Sequence, residues 1–152
     1  MAIYMGTTEK STQRTAGDIT ELLAAMGASG VSVRYNDTKE PNGITFQIVR
    51  NERNMFFDLP IRWDGIYQRL ILKRARGPRN GGVDPKLEQA KKTAWRQVYR
   101  WLQAQAALLE ADMAATEEIF MPYLQIQHKG QTMTCFEALQ KNSGLLQLGT
   151  GR

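Results

Sequence analysis

The sequence predicts an α+β fold: an N-terminal helix, a three-stranded antiparallel sheet, a short helix, one long helix, and a short C-terminal strand and helix. Three observations predict it. Apolar residues recur at helical spacing in "ITELLAAM" and again through residues 85–120. They alternate with period two in "VSVRY", "ITFQIV" and "MFFDLP". Clusters of Gly, Pro and Asn separate these segments. At 152 residues the chain has single-domain length and buries a core without needing disulfides.

Residues 1–14 are polar and unpatterned and are expected to form a flexible N-terminus ahead of a single domain over 15–140. Thr15 followed by Asp18 reads as a capping-box variant, opening a helix with Ile19, Leu22, Leu23 and Met26 on one face. Gly27 ends that helix, because glycine alone enters the left-handed region without steric cost. Val31, Val33 and Tyr35 then share one strand face, as do Ile44, Phe46 and Ile48, with the turn-rich "NDTKEPNG" between. In the third strand Met55, Phe57 and Leu59 alternate with Phe56 and Asp58, and Pro60 closes it. "RWDGIYQRLILKR" returns to helical spacing through Trp63, Ile66 and Leu70. "ARGPRNGGVDP" breaks it, so residues 75–84 are expected to be a flexible basic loop.

Asp84 as N-cap and Pro85 in the first turn open the long helix. No proline or glycine follows until Phe120 is passed, which predicts about 35 residues and about 50 Å of helix. A compact domain of this size is about 40 Å across, so the helix is expected to protrude, kink or pack against a second copy. The Ala-rich stretch 104–115 would allow such a close approach. Pro122 stops the helix, "YLQIQ" reads as a short strand, "HKGQ" as a turn and "MTCFEALQK" as a last short helix. Residues 141–152 read as a tail.

The formal net charge is +5, but it is unevenly spread. Arg69 to Arg100 holds ten Lys and Arg against Asp84 and Glu88, a local +8, which leaves −3 for the rest. Trp101 to His128 has no Lys or Arg, while Glu110, Asp112, Glu117 and Glu118 contribute −4. A chain polarised in this way suits a polyanionic partner at one end.

On the long helix, Leu87, Ala94, Val98, Leu102, Leu109 and Phe120 fall on one stripe, with Trp95, Trp101 and Met113 beside it. That stripe is expected to face the core. Lys91, Gln105 and Asp112 interrupt it, and a buried charge there requires a partner; Arg34 or Arg50 would serve Asp112. Lys92, Arg96 and Arg100 are expected on the outer face, with Trp95 and Tyr99 on its rim. Like charges four residues apart oppose helix stability, so the row has no local structural benefit. Either it keeps a solvated face soluble or it binds phosphates, with Trp95 and Tyr99 stacking on unpaired bases. Lys73, Arg74, Arg76 and Arg79 in and beside the glycine-rich loop would extend the same surface.

Signatures of catalysis are missing from the sequence. CxxC, HExxH, GxxxxGK[ST] and GxGxxG do not occur, and His128 is the one histidine. Cys135, the one cysteine, reads as a small core residue and fits a reducing compartment such as the cytoplasm. The N-terminus does not read as a signal peptide, and no stretch approaches the roughly 18 apolar residues of a membrane span. A noncatalytic cytoplasmic protein without cofactor or metal is expected.

Four stretches carry a likeness: "STQRTAGDITELLAAMGASGVSVRY", "ITFQIV…MFFDLPIRWDGIYQRL", "QAKKTAWRQVYRWLQAQAALLEADMAATEEIFMPYL" and "GQTMTCFEAL". Together, over roughly residues 11–139, the chain resembles an uncharacterised family of small proteins encoded by bacteriophages and prophages. The resemblance implies a phage accessory protein acting in the bacterial host cytoplasm, and it carries over no site residues. Two functions are expected from the residues, with a self-assembling virion or scaffold component as a third, structural reading. One is noncatalytic nucleic-acid binding, single-stranded DNA favoured, in phage replication or recombination. The other is a protein-binding, anti-CRISPR-like inhibitor of a host defence complex. A homo-oligomer through the long helix is compatible with either.

Overall fold

The structure, a computed structural model, describes residues 2–72 and 84–142. In chain order these form α1 (Thr12–Ala25), β1 (Gly30–Tyr35), β2 (Pro41–Arg50), β3 (Arg53–Pro60), α2 (Asp64–Leu72) and α3 (Pro85–Glu110). There follow α4 (Thr116–Phe120), a 3-10 turn at Met121–Tyr123, β4 (Gln125–His128), β5 (Gln131–Thr134) and α5 (Cys135–Lys141). The class is α+β, as the two periodicities predict.

Strands β1, β2 and β3 form an antiparallel sheet in that order. Val31 opposes Phe46, Phe46 opposes Phe57, and Ile44 opposes Leu59, so the alternating apolar residues share one face. Onto that face pack Ala16, Ile19 and Leu23 of α1, Ala94, Trp95 and Leu102 of α3, and Phe120. Phe46 stacks on Phe57 at 5.0 Å and meets Phe120 edge-on at 5.1 Å, while Trp101 meets Phe120 at 6.0 Å. On the opposite face Arg34 Nη1 reaches Asp58 Oδ2 at 3.1 Å across Gly43. A Cβ on Gly43 would come within 2.6 Å of the guanidinium, so that bridge depends on glycine in the central strand. Among the described residues no helix is long and apolar enough to cross a membrane.

Several boundaries differ from expectation. Helix α1 begins one turn early, capped by Ser11 Oγ, which accepts from the Arg14 N–H at 3.1 Å. Thr15 and Asp18 therefore lie inside the helix and are free to bond elsewhere. The stretch before it, expected as a loose end, lies along α3. Gln89 Nε2 donates to the carbonyls of Gly6 (3.1 Å) and Thr8 (3.0 Å), and Gln97 Nε2 to that of Tyr4 (2.8 Å).

The long helix stops at Glu110, with 26 residues and not about 35. Asp112 takes φ 53°, the Met113 N–H returns to the Leu108 carbonyl at 2.9 Å, and Asp112 N–H returns to Leu109 at 3.2 Å. Gly27 (φ 102°) ends α1 in the same way, through Ala28 N–H to Leu23 and Gly27 N–H to Ala24. An aspartate thus does at Asp112 what glycine does at Gly27, since Asp tolerates the left-handed region. At 26 residues and about 1.5 Å each, α3 fits within the domain, and the length argument for a second copy falls away. Residues 131–134 form a second short strand that sequence spacing missed, joined to β4 through Lys129 (φ 51°) and Gly130 (φ 78°).

Candidate nucleic-acid interface

The basic row expected on α3 is taken apart by packing. Residues 90, 91 and 93–96 are all buried, so this half of α3 has neighbours on nearly every side. Trp95, placed on the rim by helical spacing, is fully buried and donates its indole N–H to the Pro41 carbonyl at 3.3 Å. Arg96, expected outward, is only 7% exposed. Its Nη1 lies 2.9 Å from Asp18 Oδ2 and 3.5 Å from Thr15 Oγ1, and its guanidinium sits 4.4 Å over the Tyr99 ring. These two corrections share one cause. A helical wheel assumes a single buried face, whereas α1, the sheet, α2 and the N-terminal segment surround α3 here.

Tyr99 is half-buried and packs against the core, its ring flanked by Arg96 and, at 5.9 Å, by Arg100. That leaves no clear face for a base. Lys92 is half-buried, and Arg100 is exposed, bonded at 2.8 Å to Gln103 Oε1. Lys73, Arg74, Arg76 and Arg79 lie outside the described residues. The ends of that connection are tied together: Tyr67 Oη donates to Asp84 Oδ2 at 2.6 Å, and Asp84 caps α3 by accepting from the Lys86 N–H. The tyrosine hydrogen bond, with the backbone bond behind it, holds the Asp84 carboxyl below its usual pKa.

What the structure assembles is a different cationic site. A concavity of about 660 Å³ lies between the N-terminal segment, the start of α1 and the middle of α3. Met5, Thr8, Glu9, Lys10, Ser11, Arg14, Arg96 and Arg100 line it. Arg14 and Arg100 are exposed and Lys10 half-buried, and none of the three makes an ion pair among the described residues. The first turn of α1 holds no acidic side chain. Arg96 supplies the floor, its charge largely matched by Asp18. Sequence reasoning missed Lys10 and Arg14 because they precede or open the helix, far along the chain from the dense basic window. Their one visible signal was the pair of cations Lys10 and Arg14 on either side of a helix-capping serine, against the single acid Glu9.

The remaining candidate residues pair off structurally. Lys91 is buried between Glu40 and Glu88. Arg34 takes Asp58 and Arg50 takes Glu117, so neither serves Asp112, which sits exposed at the helix stop. Burial raises the Cys135 thiol pKa, which disfavours the thiolate a nucleophile needs. Burial likewise raises Asp58, against the lowering effect of Arg34. Among the described residues no cluster of three His, Cys, Asp or Glu is placed to hold a metal ion. No family model, curated protein or solved structure matches the chain.

Proposed function

We propose that this chain is a noncatalytic nucleic-acid-binding protein, a phage accessory factor, that holds phosphates in the concavity between its N-terminal segment, α1 and α3. The observation that carries the reading is the convergence there of Lys10, Arg14 and Arg100 beside the buried Arg96. Lys10, Arg14 and Arg100 outnumber Glu9, the carboxylate that also lines the hollow, so the charge there favours an anion, and guanidinium groups match phosphate geometry with two parallel donors. The N–H groups at the start of α1 add a favourable field for an anion. Binding driven by charge of this kind depends steeply on salt.

Fluorescence anisotropy with labelled oligonucleotides tests it. With three phosphates neutralised on a single strand, log K is expected to fall against log salt with slope about −2. Arg14→Glu/Arg100→Glu is expected to abolish binding while leaving the circular dichroism unchanged, since both side chains are exposed. Retention of full affinity by that variant would remove the concavity from consideration.

A protein partner is the second reading. It is favoured by an apolar hollow of about 490 Å³ lined by Met121, Pro122, Ile126, Cys135, Phe136 and Leu139, where Met121 is 55% and Phe136 39% exposed. Binding to one host protein that is insensitive to salt and to the charge reversal would support it.

A further inference from the structure

One residue before Met5, which lines the cationic concavity, the chain carries an exposed aromatic, Tyr4, that charge patterning alone would not single out. Ile3 to Gly6 close a turn, Gly6 N–H donating to the Ile3 carbonyl at 2.9 Å, with Tyr4 and Met5 at its corners. Met5 holds φ 57°, a left-handed conformation that side chains with a Cβ avoid. A row of α3 side chains four residues apart keeps it there. Gln97 donates to the Tyr4 carbonyl (2.8 Å), Thr93 Oγ1 to that of Met5 (3.4 Å), and Gln89 to those of Gly6 (3.1 Å) and Thr8 (3.0 Å). The segment from Tyr4 to Thr8 is therefore pinned at four carbonyls, three of them in the turn. Its corner side chain is nevertheless left in solvent, with Tyr4 63% exposed. The next residue, Met5, lines the concavity with Arg14 and Arg100.

We infer that Tyr4 is a stacking platform for an unpaired base, adjoining the phosphate held in the concavity. The inference rests on the nucleic-acid reading above and adds strand selectivity to it. Every base has a π-face, so stacking is tolerant of sequence, but a duplex keeps those faces inside its own stack. The backbone that carries the ring is already pinned and loses little further freedom when a base lands there, which favours binding. The strained Met5 and the three donors of α3 fit a device that holds an aromatic side chain outward. Trp95 and Tyr99 cannot take this role, the first being buried and the second covered by Arg96.

The test compares a labelled oligothymidine with a duplex of equal length, using wild type, Tyr4→Ala, Tyr4→Phe and Arg14→Glu/Arg100→Glu. Tyr4→Ala is expected to weaken single-strand binding about tenfold and leave duplex binding unchanged, and Tyr4→Phe to keep wild-type affinity. Single-strand binding that is lost in the charge reversal but intact in Tyr4→Ala overturns the stacking role and leaves the phosphate site standing. So does an equal loss on both substrates. Failure of the wild type to bind either substrate overturns both.

Discussion

Lys91 illustrates how single residues in this protein are matched to their surroundings. It lies on the core-facing stripe of α3 with 6% exposure, meets Glu40 and Glu88, and sits 5.7 Å from the Trp63 ring. Burial disfavours its ammonium, yet the hydrogen bonds to Glu40 and Glu88 outweigh this and raise its pKa. The same bond from Lys91 lowers the pKa of Glu40. The signs follow. Glu40 stabilises the fold above the unfolded carboxylate value of about 4.3 and loses that contribution as pH falls through its lower folded value. Lys91 contributes below about 10.4 and loses it as pH rises through its higher folded value.

Removing both acids as Glu40→Gln/Glu88→Gln is expected to cost about 3 kcal/mol in urea unfolding, because it leaves a buried ammonium unpaired. Lys91→Met, which removes the charge with little change of volume, is expected to be nearly neutral, within about 1 kcal/mol. Equal losses from the two variants would contradict this account. Of its two partners, Glu88 stands three residues back on the same helix and was legible in sequence, whereas Glu40 was not. A charge on an apolar stripe announces that it needs an opposite charge, and only the fold brings the β1–β2 loop to it.

At the scale of elements, the stop of α3 is the clearest case. Gly27 signals the end of α1 openly, while nothing between residues 86 and 120 marks a helix end by composition. Asp112 takes the left-handed position in its place, at a cost of about 1 kcal/mol relative to glycine. Asp112→Gly is therefore expected to raise the urea midpoint by an amount equivalent to about 1 kcal/mol, and Asp112→Val to lower it. A Val variant as stable as wild type would show that the left-handed stop is not maintained in solution. The strands behaved differently. Their faces were readable because a period of two has one buried set, and α1, α3 and Phe120 cover it.

At the scale of the molecule, two differently charged hollows stand apart among the described residues. The cationic hollow lies at the start of α1, whereas Glu110 and Asp112 lie with Arg50, Leu22 and Met26 around the far ends of α1 and α3. Glu110→Gln/Asp112→Asn is expected to change oligonucleotide affinity less than about threefold at physiological salt, because screening confines charge effects to about 8 Å. Loss of binding in that variant would relocate the working surface to the acidic end.

What the sequence determined by itself was the α+β class, the strand faces, the glycine stop of α1 and the charge polarity along the chain. These follow from local periodicity and turn chemistry, which short stretches carry complete. What only the tertiary structure decided was the fate of the α3 side chains and the make-up of the site. Trp95 and Arg96 are buried because several elements surround one helix, and burial belongs to the neighbours of a residue and not to its spacing. Lys10 and Arg14 join Arg100 because α1 docks on α3, a placement that no local pattern encodes.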